Sequence, residues 1–97
     1  MASRARDKLS VRKVETTTRP GIYSDGGGLY LRVRISGKAW VFIGSLDGKR
    51  FELGFGSALD VGLAKAREMA MKVRLQMIDG IDPVTERKKA KIERASG

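Results

Sequence analysis

Ser24-Asp25-Gly26-Gly27-Gly28-Leu29-Tyr30-Leu31-Arg32-Val33 runs a three-glycine turn straight into a strand. From Leu29 onward apolar residues alternate with polar ones. Leu29, Leu31, Val33 and Ile35 fall on one face, and Tyr30, Arg32 and Arg34 on the other. A period of two means that one face packs while the other meets solvent or a partner. Two arginines and a tyrosine on the open face of a basic chain point to a polyanion.

Two more strands follow at hairpin spacing. Ser36-Gly37 leads into a strand over about 39–44, and Asp47-Gly48 into one over about 49–55. Connections this short produce an antiparallel meander, since parallel strands need long crossovers. In the last strand Phe51, Leu53 and Phe55 alternate with Arg50, Glu52 and Gly54. The middle strand is apolar on both faces. Placing Trp40 and Phe42 inward with Leu31, Val33 and Leu53 leaves Val41 and Ile43 in the middle of the outer face. A one-residue slip of register would reverse that assignment.

Upstream, Pro20-Gly21 and Asp25-Gly26 read as turns. Residues 1–20 form a basic tail carrying Arg4, Arg6, Lys8, Arg12, Lys13 and Arg19. Within it Leu9, Val11 and Val14 suit a short docked element, with Ser10 as its cap.

Downstream, the apolar period changes to that of a helix over about 63–78. Leu63, Ala66, Ala70, Val73 and Met77 share one stripe, widened by Ala64, Met71, Leu75 and Ile78. Gly62 stands at the N-cap and Gly80 where a left-handed C-terminal residue belongs. The helix covers the apolar face that a lone sheet would leave bare. The fold expected is therefore α+β: a three-stranded antiparallel β-sheet packed against one C-terminal α-helix. Residues 21–80 make this domain. Asp82-Pro83 resembles a new helix start, but residues 81–97 are so charged that they read as a frayed helix or a linker to an absent region.

The chain has 97 residues, 20 lysines and arginines against 11 acids, and a net charge of +9. That size allows one small domain with a thin core. Such an excess of charge serves binding better than folding. Neither cysteine nor histidine is present, which removes thiol and imidazole chemistry together. The carboxylates lie on turns and wet faces and assemble no catalytic set. No cofactor, metal or small-molecule substrate is expected. No apolar run approaches the ~20 residues that span a bilayer. No membrane partner is expected, and the location expected is cytoplasmic, with the bacterial nucleoid.

The glycine run could cradle a phosphate, but a nucleotide loop joins a strand to a helix and a P-loop needs Gly-Lys-Ser/Thr. Here the glycines precede a strand, so a hairpin turn is the simpler account. Arg67 and Arg74 lie inside the helix's apolar arc. Their stems can pack while their heads reach water or an acid such as Asp60. Met69, Met71 and Met77 fill gaps in the core or rim.

The outer sheet face is the candidate site. A two- or three-stranded ribbon fits the major groove of B-DNA, where arginine reads guanine and lysine finds phosphate. Tyr30, Arg32, Arg34, Lys38, Lys49 and Arg50 are the candidate contacts, and Val41 and Ile43 suit thymine methyl groups. Two alternatives stand beside this one. The face could bind duplex RNA by shape, or Val41 and Ile43 could centre a protein interface rimmed by charge.

One ordered series adds to this. Ser24-Asp-Gly-Gly-Gly-Leu-Tyr-Leu-Arg-Val33, Trp40-x-Phe42, Asp47-Gly-Lys-Arg50, Leu53-Gly-Phe-Gly56, Leu63-Ala-x-Ala-Arg67 and Gly80-Ile-Asp-Pro83 follow one another. Together they resemble the N-terminal arm-type DNA-binding domain of phage and prophage tyrosine integrases, over about residues 9–88. The resemblance implies a three-stranded sheet that binds double-stranded DNA at arm-type attachment sites in DNA integration and recombination. Contacts with other integrase protomers are compatible both with this reading and with a protein interface. The resemblance also implies a non-catalytic fragment of a site-specific recombinase, whose core-binding and catalytic domains would follow. Neither Tyr23 nor Tyr30 suits the nucleophile. Val41 and Ile43 depart from the polar residues common there, Gly44 from an aromatic, Ala58-Leu59 from Tyr-Pro, and Gly62 from a serine cap.

Overall fold

The computed structural model describes residues 8–96, with side chains described through residue 91. Arg4 and Arg6 of the basic tail lie outside the described residues. The elements in order are α1 (Val11–Thr16), β1 (Gly21–Gly26), β2 (Leu29–Arg34), β3 (Gly37–Leu46), β4 (Lys49–Ser57), α2 (Leu63–Ile78) and α3 (Pro83–Ser96).

The sheet is an antiparallel meander, as its short connections require, but it has four strands in the order β1-β2-β3-β4, not three. The additional strand is β1. Its ends, Pro20-Gly21 and Asp25-Gly26, carry turn chemistry, and only Ile22 and Tyr23 between them are apolar. An edge strand tolerates such a sequence because only one of its sides must pair. The hairpin turn itself is Gly27-Gly28, both at positive φ (63° and 92°), the backbone that a two-residue turn between twisted strands demands.

Asp47-Gly48 makes the β3–β4 turn, again with both residues at positive φ. The β2–β3 turn falls at Ile35-Ser36, so Ile35 leaves the inner face and stands 99% exposed. Alternation stops where pairing stops.

The inner face is otherwise as the pattern requires. Leu29, Leu31, Val33, Trp40, Phe42, Leu53 and Phe55 are buried with Leu63, Ala66, Ala70 and Val73 of α2. The Trp40 indole N–H donates to the Val61 carbonyl at 2.8 Å, which satisfies the one polar atom of the largest core residue. Phe42 stacks on Phe51, with ring centroids 6.1 Å apart. Both rings pass over Gly44, where an added Cβ would sit 2.9–3.0 Å from them.

The stripe of α2 is narrower than its sequence suggests. Met71, Leu75 and Ile78 are exposed, and the small side chains of Ala66 and Ala70 make the close contact instead. The helix ends in a Schellman motif. Gly80 N–H donates to Met77 O and Ile81 N–H to Gln76 O, with Gly80 at φ 75°.

Both flanking segments are helical. In α1 the Ser10 hydroxyl accepts from the Lys13 N–H at 3.1 Å. Leu9 and Val14 dock on the core, whereas Val11 is exposed. α3 begins as Asp82-Pro83 predicts: the Asp82 carboxylate accepts from the Val84 N–H at 2.9 Å. Val84 packs on the core, and the Arg87 guanidinium donates to the Gly54 carbonyl of the edge strand β4 at 2.6 Å. Among the described residues no helix is long and apolar enough to cross a membrane.

Candidate nucleic-acid interface

The register of the sheet decides what its outer face presents. Tyr30 pairs with Val41 and Arg32 with Ala39. On the other side of β3, Val41 pairs with Gly54, Ile43 with Glu52 and Ser45 with Arg50. Tyr30, Arg32, Ala39, Val41, Ile43, Arg50 and Glu52 therefore share one surface, with Arg34 at its margin beside the Ile35-Ser36 turn.

Glu52 organises that surface. Its Oε1 accepts from Arg32 Nη2 at 3.0 Å and its Oε2 from Arg50 Nη2 at 3.1 Å. Arg32 lies across from Ala39 and Glu52 across from Ile43, so their ion pair bridges β2 and β4 diagonally over Val41. The hydrogen bond from Arg32 holds the Glu52 carboxyl below the ordinary value of 4.5. Partial desolvation opposes this, and the charges of Arg50 and Arg32 add to it. Half-exposed ion pairs of this kind are weak and exchange readily.

The eight candidate residues thus separate. Tyr30, Arg32, Ile43 and Arg50 are gathered on the outer face, with Arg34 exposed at its margin. Lys49 is exposed at the β3–β4 turn. Val41 belongs to the face but is only 4% exposed, so it offers little methyl surface to a base. Ile43 keeps part of its surface open. With its centre covered, the face is also a poorer apolar patch for a protein partner.

Lys38 stands apart. It pairs with Val33, on the parity of the buried residues. Its Nζ donates to the carbonyls of Val14 (2.7 Å) and Glu15 (2.9 Å) at the end of α1. A cation there satisfies carbonyls that have no partner within the helix. A groove of about 750 Å³ opens beside Arg32 and Arg34, walled by the end of α1, the β2–β3 turn and Gly56–Leu59.

Arg67 and Arg74 are half-buried and hydrogen-bonded within the fold, but their partners differ from the expected Asp60. Arg67 grips Asp25, a buried carboxylate beside the glycine turn, and Arg74 Nη1 donates to the Gly27 carbonyl at 3.0 Å. Two features escape a reading of alternation alone: the role of Glu52 and the capping role of Lys38. Glu52 had a signal, since it is an acid placed among the arginines of one face. Lys38 had none, because its partners are backbone carbonyls distant in sequence.

A family model described as an arm DNA-binding domain matches residues 6–90. The chain is 37% identical over 84 residues to an integrase of Shigella phage Sf6, covering 82% of this chain and 22% of that protein. The same figures hold for the prophage integrase IntS of Escherichia coli strain K12. Identity to an integrase of Enterobacteria phage P4 is 38% over 92 residues, covering 89% of this chain and 21% of that protein. The chain spans about a fifth of the length of these curated relatives.

Proposed function

The chain belongs to the arm DNA-binding domain family, and from that premise we propose that it binds arm-type sites on double-stranded DNA as the N-terminal part of a phage or prophage tyrosine integrase. The outer face of β2–β4 enters the major groove. Arg34 and Arg50 reach base edges or phosphates from its exposed parts, and Arg32 joins them by exchanging Glu52 for a DNA acceptor. Tyr30 and Ile43 supply the intervening contacts, and Lys49 meets backbone phosphate. Strand cleavage and joining belong to the remainder of the integrase, and neighbouring protomers on the DNA are its protein partners.

The observation that supports this reading best is the register. It gathers Arg32, Arg50, Tyr30 and Ile43 on one surface, with Arg34 beside them, in a protein of net charge +9. A sheet of this width suits a groove about 12 Å across, and its guanidiniums have the fork that matches guanine O6 and N7.

The test is a nitrogen–proton NMR titration with short duplexes taken from attachment-site arms, repeated with scrambled duplexes over a range of salt. Saturable shifts across β2, β3 and β4 with the arm duplex alone support the reading, as does a steep fall of log K with log salt. Equal shifts for both duplexes, confined to the two basic ends of the chain, overturn it.

A further inference from the structure

We infer that Glu52 is a specificity-determining residue of the DNA-reading face, selecting a cytosine beside the guanine that a neighbouring arginine contacts. The inference rests on the function proposed above. It starts from an oddity of composition. Among the outward-facing residues of the four strands described above, Glu52 is the acid among arginines, and each of its oxygens is occupied by a different guanidinium.

A surface made only to hold phosphate gains nothing from a carboxylate at that place. When Arg32 or Arg50 moves to a backbone oxygen, Glu52 is left facing a polyanion, and repulsion opposes the contact. A carboxylate only accepts hydrogen bonds, so it needs a donor. The major groove offers a good one in the N4 amino group of cytosine, whereas guanine presents the two acceptors that suit arginine. The existing spacing suits that exchange. Arg32 and Glu52 already meet at 3.0 Å over Val41, so their heads can lie on adjacent base edges, the arginine on O6 and N7 and the carboxylate on N4. Random sequence rarely supplies both partners at once, and the ion pair then stays closed. Glu52 thus penalises non-specific contacts while rewarding one base.

The test is selection from a library of randomised duplexes with the full chain as wild type, Glu52→Gln and Arg34→Ala, with helical content and melting checked for each. The wild type should return a motif with a strongly preferred C·G pair. Glu52→Gln, which is nearly isosteric, should lose the preference at that pair while keeping the rest. It should also bind random duplex about 3–10-fold more tightly at ~0.1 M salt, the effect of roughly one added phosphate contact. If Glu52→Gln tightens all duplexes equally, or returns the wild-type motif unchanged, the inference is overturned. Arg34→Ala separates the two levels: normal binding by that variant, or a wild type that selects no motif, removes the proposed reading face and this inference with it. A weakened Arg34→Ala beside an unchanged Glu52→Gln removes the inference alone.

Discussion

Asp25 holds Arg67 in a two-pronged grip. Its Oδ2 accepts from Arg67 Nε at 2.9 Å and its Oδ1 from Arg67 Nη2 at 3.0 Å. Asp25 Oδ1 also accepts from the Leu9 N–H at 2.8 Å, and Arg67 Nη2 donates to the Leu9 carbonyl at 2.8 Å. Three distant segments meet here: the residues leading into α1, the glycine hairpin and α2. Asp25 is only 2% exposed, so removing Arg67 strands a buried charge. Arg67→Ala should cost about 3–5 kcal/mol, the range for breaking a buried pair from one side. Arg67→Lys should recover only part, because an ammonium lacks the fork. Urea unfolding measures both; a loss within the ~0–1 kcal/mol of surface pairs would show that the grip does not hold the segments together.

Two glycines make room for aromatic rings, and they should respond differently from a third that does not. At Gly28 a Cβ would stand 2.7 Å from the Phe42 ring, on a backbone with φ 92°. At Gly44 it would stand 2.9 Å from Phe51. Gly44→Ala should destabilise by ~1–3 kcal/mol through overpacking, and Gly28→Ala by more, since left-handed backbone adds roughly 1–2 kcal/mol for a residue with a Cβ. At Gly54 nothing lies within 4 Å, so Gly54→Ala should be neutral or slightly stabilising. Thermal melts of the three variants check the order. Equal losses at all three would point to a general strand effect instead of ring contacts.

What could be read from residues alone follows from how local the cause is. Alternation placed Trp40, Phe42 and Leu53 correctly because side-chain direction in a strand is set by the backbone. The stripe through Leu63, Ala66, Ala70 and Val73 placed α2 at its observed bounds for the same reason. β1 is hidden because an edge strand with two glycines and an aspartate among six residues lacks the composition of a strand. Its pairing with β2 is a tertiary fact. Asp25 likewise reads as a turn residue, and nothing local announces a carboxylate that will meet an arginine 42 positions away. In the site, the arginines of the outer face and the acid among them were legible, but the pairing of Glu52 with Arg32 was not, because it depends on the register between β2 and β4.

Glu52 gives a pH signature with a definite sign. Its hydrogen bond from Arg32 lowers its pKa in the folded state below 4.5. The bound proton is therefore weaker in the folded than in the unfolded chain. The stabilisation is fully present above the unfolded value and is lost as pH falls through the folded one. Carbon-detected NMR of the glutamate carboxyls should show the Glu52 midpoint lying below its value in the unfolded chain. Arg32→Ala should move the Glu52 midpoint upward. A midpoint unchanged in that variant would mean that Arg50 alone sets it.

Arg34 and Lys38 lie at the same end of the sheet yet should fail in opposite ways. Arg34 is exposed beside the outer face. Arg34→Ala should leave the melting temperature within error and weaken binding to the preferred duplex by ~1–3 kcal/mol if the side chain reads a base. An equal loss on random DNA would assign it to phosphate. Lys38 sits on the other parity and closes the end of α1 through Val14 and Glu15. Lys38→Ala should remove two charge-assisted hydrogen bonds to backbone, each typically worth ~1.5–3 kcal/mol when one partner is charged and less where water can replace it. Its melting temperature should fall, while DNA affinity measured well below the melt changes by no more than loss of one general positive charge. A Lys38→Ala variant that melts like the wild type but binds DNA poorly would return Lys38 to the interface and show that its bonds to α1 open when DNA is bound.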